Sequence, residues 1–272
     1  MELRERFEEH LAEAKSLFST DNIVALCLQG SQNYNLDYAD SDVDTKLILT
    51  PTFKDIAMNA QPISTTHVRA NDEHIDFKDV RLYIKTFLKQ NINFVEILFA
   101  KESWVNPMYM EQWNRLVEAR EAIAHYSPRL AIKAMYGMMM EKHHAMTHRY
   151  PAKADIIEKY GYDGKQLSHL LRISEFLSRY LNGEKYEDCL ISQQRDFLLY
   201  LKEHKMPLHE AQMLADFTVK NTKGFIDAWL NTQSLDDTNP GVVELLEDVQ
   251  YRIMRISVEK EFENDVNLSP PI

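Results

Sequence analysis

The sequence predicts an α+β fold: a small mixed β-sheet with flanking helices, followed by a helical C-terminal region. Strand patterns lie in the first eighty residues, where short apolar runs are separated by turn residues. From residue 80 onward the apolar residues recur almost entirely at helical spacing. The 272 residues include only seven glycines, which agrees with a mostly helical chain.

The elements of the first eighty residues follow from their apolar spacing. Residues 2–18 are charged and amphipathic, which predicts a helix. Ile23–Leu28 is a continuous apolar run and predicts a buried strand. Further strands are expected at residues 42–49, 64–70 and 73–77, the last two forming a hairpin around Asn71-Asp72.

The later elements are predicted to be helices. Ser127-Pro128 has the pattern of an N-cap followed by proline at the first helical position, which predicts a helix to about residue 148. Further helices are expected around residue 170 and at about 186–204, 207–230 and 241–262. We therefore expect two domains, residues 1–127 and a helical C-terminal domain of residues 128–272.

Composition restricts the compartment. A hydrophobic content of 44% suffices for a large core, and no apolar run approaches the roughly 18 residues of a membrane span. The charged N-terminus lacks the apolar core of a signal peptide. Two cysteines, Cys27 and Cys189, favour a reducing compartment over a disulfide scaffold. We expect a cytoplasmic protein with no membrane partner.

The charge is unevenly distributed along the chain. The net charge of −11 argues against bulk attraction to nucleic acid. Residues 128–180 differ from the rest, with nine basic and five acidic side chains, a net charge of +4, and four histidines. A polyanion such as RNA is therefore expected to bind in this segment.

The residues after the first strand combine a phosphate-sized turn with paired carboxylates. In Gly30-Ser31, glycine lets the backbone approach a ligand, and serine offers an N–H and a hydroxyl to phosphate. Asp42 and Asp44 point to one face of the next strand, because side chains alternate. Two nearby carboxylates repel each other unless a cation lies between them, and oxygen ligands suit Mg²⁺ or Mn²⁺.

Two simpler interpretations compete with a metal site here. A calcium loop that starts at Asp40 would need glycine and glutamate where the chain has Thr45 and Pro51, which excludes it. A solvated acidic turn between two strands remains open, because Asp, Asn and Ser are common in turns.

A third carboxylate is predicted on a neighbouring strand. In Ile75-Asp76-Phe77, Asp76 faces away from its apolar neighbours. Such an acid would complete the metal site and help to deprotonate an attacking hydroxyl. The alternative is an exposed aspartate on a half-buried strand.

Taken together, these motifs resemble those of the polymerase-β nucleotidyltransferase superfamily: Gly-Ser, a ten-residue gap, Asp-x-Asp and a later strand with aspartate between apolar residues. Two further segments are similar to a branch of bacterial and phage nucleotidyltransferases associated with RNA repair. They are Glu96-Ile-Leu-Phe99 and Lys165-Gln-Leu-Ser-His169-Leu-Leu-Arg172. The resemblance runs in order from about residue 23 to about residue 230.

The resemblance implies a role for each matching residue. Gly30 and Ser31 would hold the triphosphate, Asp42 and Asp44 would bind metal, and Asp76 would complete the site as metal ligand or base. Two positions depart from the family pattern: Asn35 stands where a second glycine is common, and Thr45 where a hydrophobic residue usually follows the second acid. Because asparagine tolerates left-handed backbone, the turn is expected to form.

The helix around residue 170 offers cations along one side. Lys165, His169, Arg172 and Arg179 fall on one arc with Phe176, and the leucines fall on the opposite side, which is expected to pack. Such a stripe suits a triphosphate or a nucleic-acid backbone. An ordinary solvated helix face is the alternative.

Three functional hypotheses follow. The first is a Mg²⁺-dependent (or Mn²⁺-dependent) nucleotidyltransferase that moves NMP from an NTP, with ATP favoured, to a hydroxyl and releases pyrophosphate. The resemblance implies an RNA 3′ end as acceptor, bound through residues 128–180, and a protein hydroxyl is a competing acceptor. The second is a catalytically idle nucleotide-binding or interaction module, motivated by Asn35 and Thr45. The third, modification of a small hydroxyl compound, has less support.

Overall fold

The computed structural model describes residues 2–38, 41–233 and 238–268. The fold is α+β, as predicted, and within the described residues five strands form one mixed sheet. The strands are β1 (Ile23–Gln29), β2 (Asp44–Leu49), β3 (Ser64–Val68), β4 (His74–Asp79) and β5 (Ser103–Val105). The short strand β5 lies in the region where apolar spacing indicated helices.

The helices are numbered in chain order. They are α1 (Leu3–Leu17), α2 (Phe53–Ala57), α3 (Val80–Phe87), α4 (Ile92–Val95), α5 (Met110–Glu118), α6 (Arg120–Ala124), α7 (Pro128–Ala145), α8 (Ala154–Tyr160), α9 (Gly164–Leu181), α10 (Tyr186–Leu190), α11 (Arg195–Lys202), α12 (Leu208–Thr232) and α13 (Pro240–Leu268). None of the described helices is both long enough and apolar enough to cross a membrane.

The strand order is β3-β4-β2-β1-β5. β1 runs antiparallel to β2 and β5, β3 runs antiparallel to β4, and β2 and β4 are parallel. The register aligns Gln29 with Asp44 across β1 and β2, and Lys46 with Asp76 across β2 and β4. Polar residues of three strands therefore lie on the same face of the sheet.

The other face of the sheet is apolar and forms the core. Leu26 and Leu28 of β1 and Leu47 of β2 are fully buried in a cluster with Phe7 and Leu11 of α1. α1 presents these side chains because its apolar residues recur at helical spacing. The helix thus covers one face and leaves Asp44, Lys46 and Asp76 on the opposite one.

The chain divides into two compact units. Among the described residues, the first unit contains the chain up to Asn33, Asp37–Tyr126 and the chain from Asn239, and therefore α13. The second contains Tyr34–Leu36 and Ser127–Thr238. The sequence-based division had placed all of residues 128–272 together, and the boundaries of independently folding domains stay a prediction.

The second unit is built around α9, which packs against α7, α10, α11 and α12. At the start of α9, a Cβ on Gly164 would collide with the backbone carbonyl of Leu201, so only glycine permits this close approach to α11. The predicted start of α7 is confirmed: the Ser127 side chain accepts the N–H of Leu130, and Pro128 follows it.

The prediction of one helix over residues 186–204 is wrong. The chain forms α10 and α11 with a break between them. Glu175 of α9 explains the break, because its carboxylate accepts the hydroxyl of Ser192 and the backbone N–H of Gln193 at 2.7 Å. These bonds draw the connecting residues out of helical geometry and onto α9.

Candidate active site

The turn that follows β1 is rigidly held. Gly30 has φ +82°, a left-handed conformation that favours glycine. The Asn33 side-chain amide donates to the Leu28 carbonyl at 2.8 Å, and its side-chain oxygen accepts the N–H of Lys101 at 3.2 Å. Ser31 lies within this turn and is half-buried. The loop predicted to bind phosphate is therefore a fixed structure at the end of a central strand.

Asp42 and Asp44 lie where β2 begins. Val43 between them is fully buried, whereas Asp42 is exposed and Asp44 is half-buried. Oδ1 of Asp44 is 3.1 Å from both the backbone nitrogen and the ring Nδ1 of His74. Oδ2 of Asp44 would be 3.9 Å from a Cβ on Gly30. The structure thus places Asp44 directly beside the turn.

Asp76 lies on β4, and both of its carboxylate oxygens are engaged. Oδ1 accepts the hydroxyl of Thr66 at 2.6 Å, and Oδ2 accepts the side-chain amide of Gln29 at 3.2 Å. The ammonium nitrogen of Lys46 lies 3.6 Å from Oδ2. The residue predicted as the third metal ligand or base is therefore paired with a cation of the chain itself.

Lys46 is a site residue that the motif comparison missed. Its side chain is 3% exposed, and its ammonium lies 5.0 Å from the centre of the Phe94 ring. Burial lowers the pKa of Lys46, and the charges of Asp76 and Glu96 oppose that effect. The signal that would have predicted a buried ion pair is a lysine at the start of the apolar run Lys46-Leu-Ile-Leu49.

The partners of Asp76 also determine its protonation. Burial alone would raise the pKa of Asp76, but the hydrogen bond from Thr66 and the charge of Lys46 more than offset burial and lower it. Asp76 is therefore a carboxylate at neutral pH. A general base works best when its pKa is close to the working pH, so this environment favours a ligand or electrostatic role for Asp76 over proton abstraction.

The donor set fits a divalent cation in part. Among the described side chains, no group of three or more His, Cys, Asp or Glu is placed to hold a metal ion. Asp42 and Asp44 supply the oxygen ligands that Mg²⁺ prefers. Asp76 would join them only by exchanging its contact with Lys46 for one with the cation. Asp40, the start of the rejected calcium loop, lies outside the described residues.

A buried glutamate behind the aspartates was also missed. Glu73 is 1% exposed and accepts the backbone N–H of Val43 at 3.0 Å. It forms ion pairs with Arg6 and, at 2.7 Å, with Arg69. His10 Nε2 lies 3.0 Å from the same carboxylate. The available signal was His10 on the apolar face of α1, where a histidine requires a buried partner.

The Glu73 network makes stability depend on pH. Burial would raise the pKa of Glu73, but hydrogen bonds from His10, Asn71 and Arg6 lower it from 4.5 to about 2. A carboxylate with a depressed folded-state pKa stabilises the protein above its unfolded-state pKa and loses that effect as pH falls. Burial lowers the pKa of His10 below 6.5, so His10 also makes the protein less stable as pH falls. This loss of stability begins at a higher pH than the loss caused by Glu73.

We therefore expect the wild type to lose its stability advantage over the variant Glu73→Gln as pH falls from 4.5 towards 2. The reason is that Glu73 gains a proton in this interval in the unfolded chain but stays ionised in the folded protein, whereas the glutamine side chain of the variant titrates in neither state. Denaturant unfolding of both proteins across the acid range measures the difference. A difference in unfolding free energy that stays constant down to pH 2 would contradict the assigned pKa of Glu73.

The second unit contains a cluster of cations around Arg172. Arg172 is 4% exposed, and its guanidinium carbon lies 3.8 Å from the centre of the Tyr34 ring. Its Nε and Nη1 are buried without a hydrogen-bond partner among the described residues. A buried guanidinium with unused donors is costly unless an anion binds to it.

His169 lies next to this guanidinium and is uncharged at physiological pH. Burial lowers its pKa well below 6.5, and the positive charges of Arg172, Lys165 and Lys202 lower the pKa further. His169 is therefore neutral at physiological pH and offers a hydrogen bond. Lys165 is exposed at the first turn of α9.

The predicted cationic stripe on α9 is only partly correct. Phe176 is 1% exposed and Arg172 is almost as buried, so the side opposite the leucines also packs. Arg179 is paired with Glu184 at 2.8 Å and with Glu175 at 3.7 Å. The three residues named from the motif, Lys165, His169 and Arg172, share one region of the second unit, and Arg179 is a structural residue.

The departure at position 35 does not disrupt the loop. Asn35 has φ +61°, the left-handed conformation expected for the glycine that is common there. Two cations fix the loop through backbone carbonyls: Arg195 donates to the oxygen of Asn35 at 2.8 Å, and Lys202 to that of Leu36 at 2.5 Å.

The variant Asn35→Ala should lower the free energy of unfolding by about 1 kcal/mol, because alanine tolerates a positive φ poorly. The variant Asn35→Gly should be as stable as the wild type or more stable, since the side chain of Asn35 is exposed. Urea denaturation followed by circular dichroism measures both. Equal stability of the alanine and glycine variants would contradict the assigned backbone conformation.

Known proteins share little sequence similarity with this chain. No protein-family model matches the sequence, and no curated protein matches it. The chain is similar to the crystal structure of a nucleotidyltransferase-like protein from Exiguobacterium sibiricum 255-15. The two chains are 9% identical with a TM-score of 0.34, and the similarity covers 80% of this chain and 74% of that chain.

Proposed function

We propose that this protein is a Mg²⁺-dependent nucleotidyltransferase that transfers NMP from an NTP to a hydroxyl group. One observation carries the proposal: the Asp44 carboxylate, with Asp42 two residues before it, lies beside the left-handed turn at Gly30. A turn that admits phosphate next to paired carboxylates is the arrangement this chemistry requires.

The proposed reaction is a displacement at the α-phosphorus. The acceptor oxygen bonds to the α-phosphorus, the bond to the bridging oxygen of the β-phosphate breaks, and pyrophosphate leaves. The hydroxyl proton passes to solvent. Asp42 and Asp44 would hold the cation, and Gly30 and Ser31 would receive phosphate oxygens through backbone N–H groups and the serine hydroxyl. Bound Mg²⁺ would offset the negative charge of the phosphate oxygens.

The cations of the second unit support binding of a polyphosphate. The unused N–H groups of Arg172 have the geometry for bidentate contact with phosphate oxygens, and because both nitrogens are buried, this contact would require neighbouring side chains to move. Lys165 adds a positive charge, and neutral His169 adds a hydrogen bond. We propose that these three residues bind the triphosphate of the NTP, for which ATP is the first candidate.

For the acceptor we propose an RNA 3′ end. The support is the basic segment 128–180, which carries a net charge of +4 in an otherwise acidic chain. A protein hydroxyl would require no such positive segment. Acceptor identity is therefore a direct outcome of the test below.

A second candidate is an idle nucleotide-binding module, favoured by the ion pair between Lys46 and Asp76. With the third carboxylate neutralised by the chain itself, Asp42 and Asp44 would still bind a metal–nucleotide complex but lack a third ligand for transfer. Both candidates predict nucleotide binding, and only the nucleotidyltransferase predicts turnover.

The test combines calorimetry with a pyrophosphate-release assay. Mg²⁺ and each of the four NTPs are titrated first, and release is then followed with RNAs of different 3′ ends, with candidate proteins and with small hydroxyl compounds. The proposal expects binding, and release that depends on added RNA. Release only with a protein acceptor would reassign the acceptor, and binding without release on any acceptor would favour the idle module.

A further inference from the structure

The segment that carries Asp42 and Asp44 is held at alternate residues by polar contacts with three partly or fully buried side chains. The Ser41 carbonyl accepts a hydrogen bond from Arg6 Nη1 at 2.8 Å. The Val43 N–H donates to Oε1 of Glu73 at 3.0 Å. The Thr45 hydroxyl lies 2.9 Å from Nδ1 of His10. Residues 41, 43 and 45 therefore contact one buried network.

The residues between these anchors, Asp42 and Asp44, are not part of the buried network. Val43 and Thr45 are fully buried, and because side chains of an extended chain alternate, the side chains of Asp42 and Asp44 are directed to the other side. Ser41 and Val43 bracket Asp42, which precedes β2 and therefore lacks the ladder hydrogen bonds that hold the strand itself. The orientation of Asp42 depends on these two anchors.

The anchors come from side chains that are linked to one another. Glu73 forms an ion pair with Arg6 and lies 3.0 Å from His10, so the three partners of the segment act as a single unit. Glu73 and His10 are almost completely inaccessible to solvent. Breaking a buried pair of this kind leaves an uncompensated charge, so the network has one favoured arrangement.

We propose that Glu73 is a positioning residue that, through Arg6 and His10, holds the Asp42–Asp44 segment in the conformation that binds the divalent cation. The inference rests on the proposed function, because it assigns that site its supporting network. Glu73 itself touches neither substrate nor metal in this assignment. Groups that orient metal ligands typically change metal affinity by about 10- to 100-fold when they are replaced.

The test compares Glu73→Gln with Asp79→Asn. Asp79 is a matched control, because it is a buried carboxylate at the end of β4, the strand that begins directly after Glu73. It is paired with Arg81 at 2.6 Å and has no contact with residues 41–45 among the described interactions. Both substitutions exchange a buried carboxylate for an amide, so both should lower stability. Only Glu73→Gln should alter the metal site.

Two readouts are used: binding of Mn²⁺ alone by calorimetry, and the Mg²⁺ concentration that gives half-maximal transfer. For Glu73→Gln we expect the Mn²⁺ affinity to fall by about 10-fold or more and the Mg²⁺ concentration for half-maximal transfer to rise by a similar factor. Most of the maximal rate should be recovered at saturating metal. For Asp79→Asn both values should match the wild type. Equal shifts in the two variants, or no shift in Glu73→Gln, would overturn the positioning role.

A second variant keeps the proposal testable if Glu73→Gln does not fold. Arg6→Lys retains the charge opposite Glu73 but removes the planar donor pair that also reaches the Ser41 carbonyl, and it should weaken Mn²⁺ binding in the same direction. Unchanged Mn²⁺ affinity in Arg6→Lys would again contradict the proposal. If Mn²⁺ binding follows the predicted order while no acceptor supports transfer, the proposed function fails and the positioning role stands.

Discussion

Replacing Asp44 by asparagine should abolish nucleotidyl transfer, with a loss of about 10³-fold or more, while leaving the fold intact. The amide retains an oxygen that can accept the N–H of His74, so local structure should persist. The carboxylate charge that would hold the cation is lost. Asp42→Asn should have the same effect on transfer, because it removes the other carboxylate proposed to hold the cation. Asp42 is exposed, so this substitution should also leave the fold intact.

A matched control comes from the hairpin turn. Asp72 is an exposed carboxylate of the same unit with φ +64°, a conformation that asparagine also tolerates. Asp72→Asn should transfer at the wild-type rate. Transfer rates and thermal unfolding are measured for all three variants. Transfer that persists in both Asp42→Asn and Asp44→Asn would show that these carboxylates do not form the active site.

The second large effect is expected at Arg172, where stability and function should change in opposite directions. The variant Arg172→Met removes a buried charge that has unused donors and cationic neighbours. Replacing a buried charged group by an apolar side chain of similar length is often neutral or stabilising. Loss of the contact with the Tyr34 ring offsets this by about 1 kcal/mol. We therefore expect unchanged or higher stability.

Binding of polyphosphate should fall steeply in the same variant. Hydrogen bonds from a guanidinium to phosphate contribute about 1.5–3 kcal/mol each, which corresponds to an affinity loss of about 10- to 150-fold for each bond that is removed. Calorimetry with ATP and with inorganic tripolyphosphate measures the loss. The use of tripolyphosphate separates phosphate recognition from recognition of the base.

Arg179→Met is the control for Arg172→Met. Arg179 is bonded to Glu184 at 2.8 Å and to the carbonyl of Ile191 at 2.8 Å, so its loss should lower stability without affecting polyphosphate binding. The two arginines lie on the same helix and should give opposite results. If Arg172→Met loses stability and keeps its affinity, Arg172 is a structural residue and the assignment of the triphosphate site is wrong.

Local patterns in the sequence were sufficient for much of the fold. The apolar run at Ile23–Leu28 and the Ser127-Pro128 cap are short-range signals, and the strand and the helix start lie where these signals indicated. The break between α10 and α11 depends instead on Glu175, which lies on another helix. Ser192 is a local turn signal, since its hydroxyl accepts the N–H of Gln194 at 3.0 Å, but the contact with Glu175 cannot be read from the local sequence.

The candidate site was predictable to the same degree. Asp44 and Asp76 were expected on neighbouring strands, and they lie on β2 and β4. The pairing of Asp76 with Lys46 and the anchoring of Val43 by Glu73 arise from the parallel alignment of these two strands, which a hairpin-based interpretation does not specify. Of the two roles expected for Asp76, metal ligand or base, these tertiary contacts favour the ligand, and the role stays a prediction.

The most direct test of the central claim follows the fate of the nucleotide phosphates. The protein is incubated with Mg²⁺ and ATP labelled either in the α-phosphate or in the γ-phosphate, with RNA as acceptor. The proposed function predicts that the α-label becomes covalently attached to the acceptor and that the γ-label leaves as pyrophosphate. Release of the γ-label as inorganic phosphate, with no α-label on any acceptor, would contradict nucleotidyl transfer.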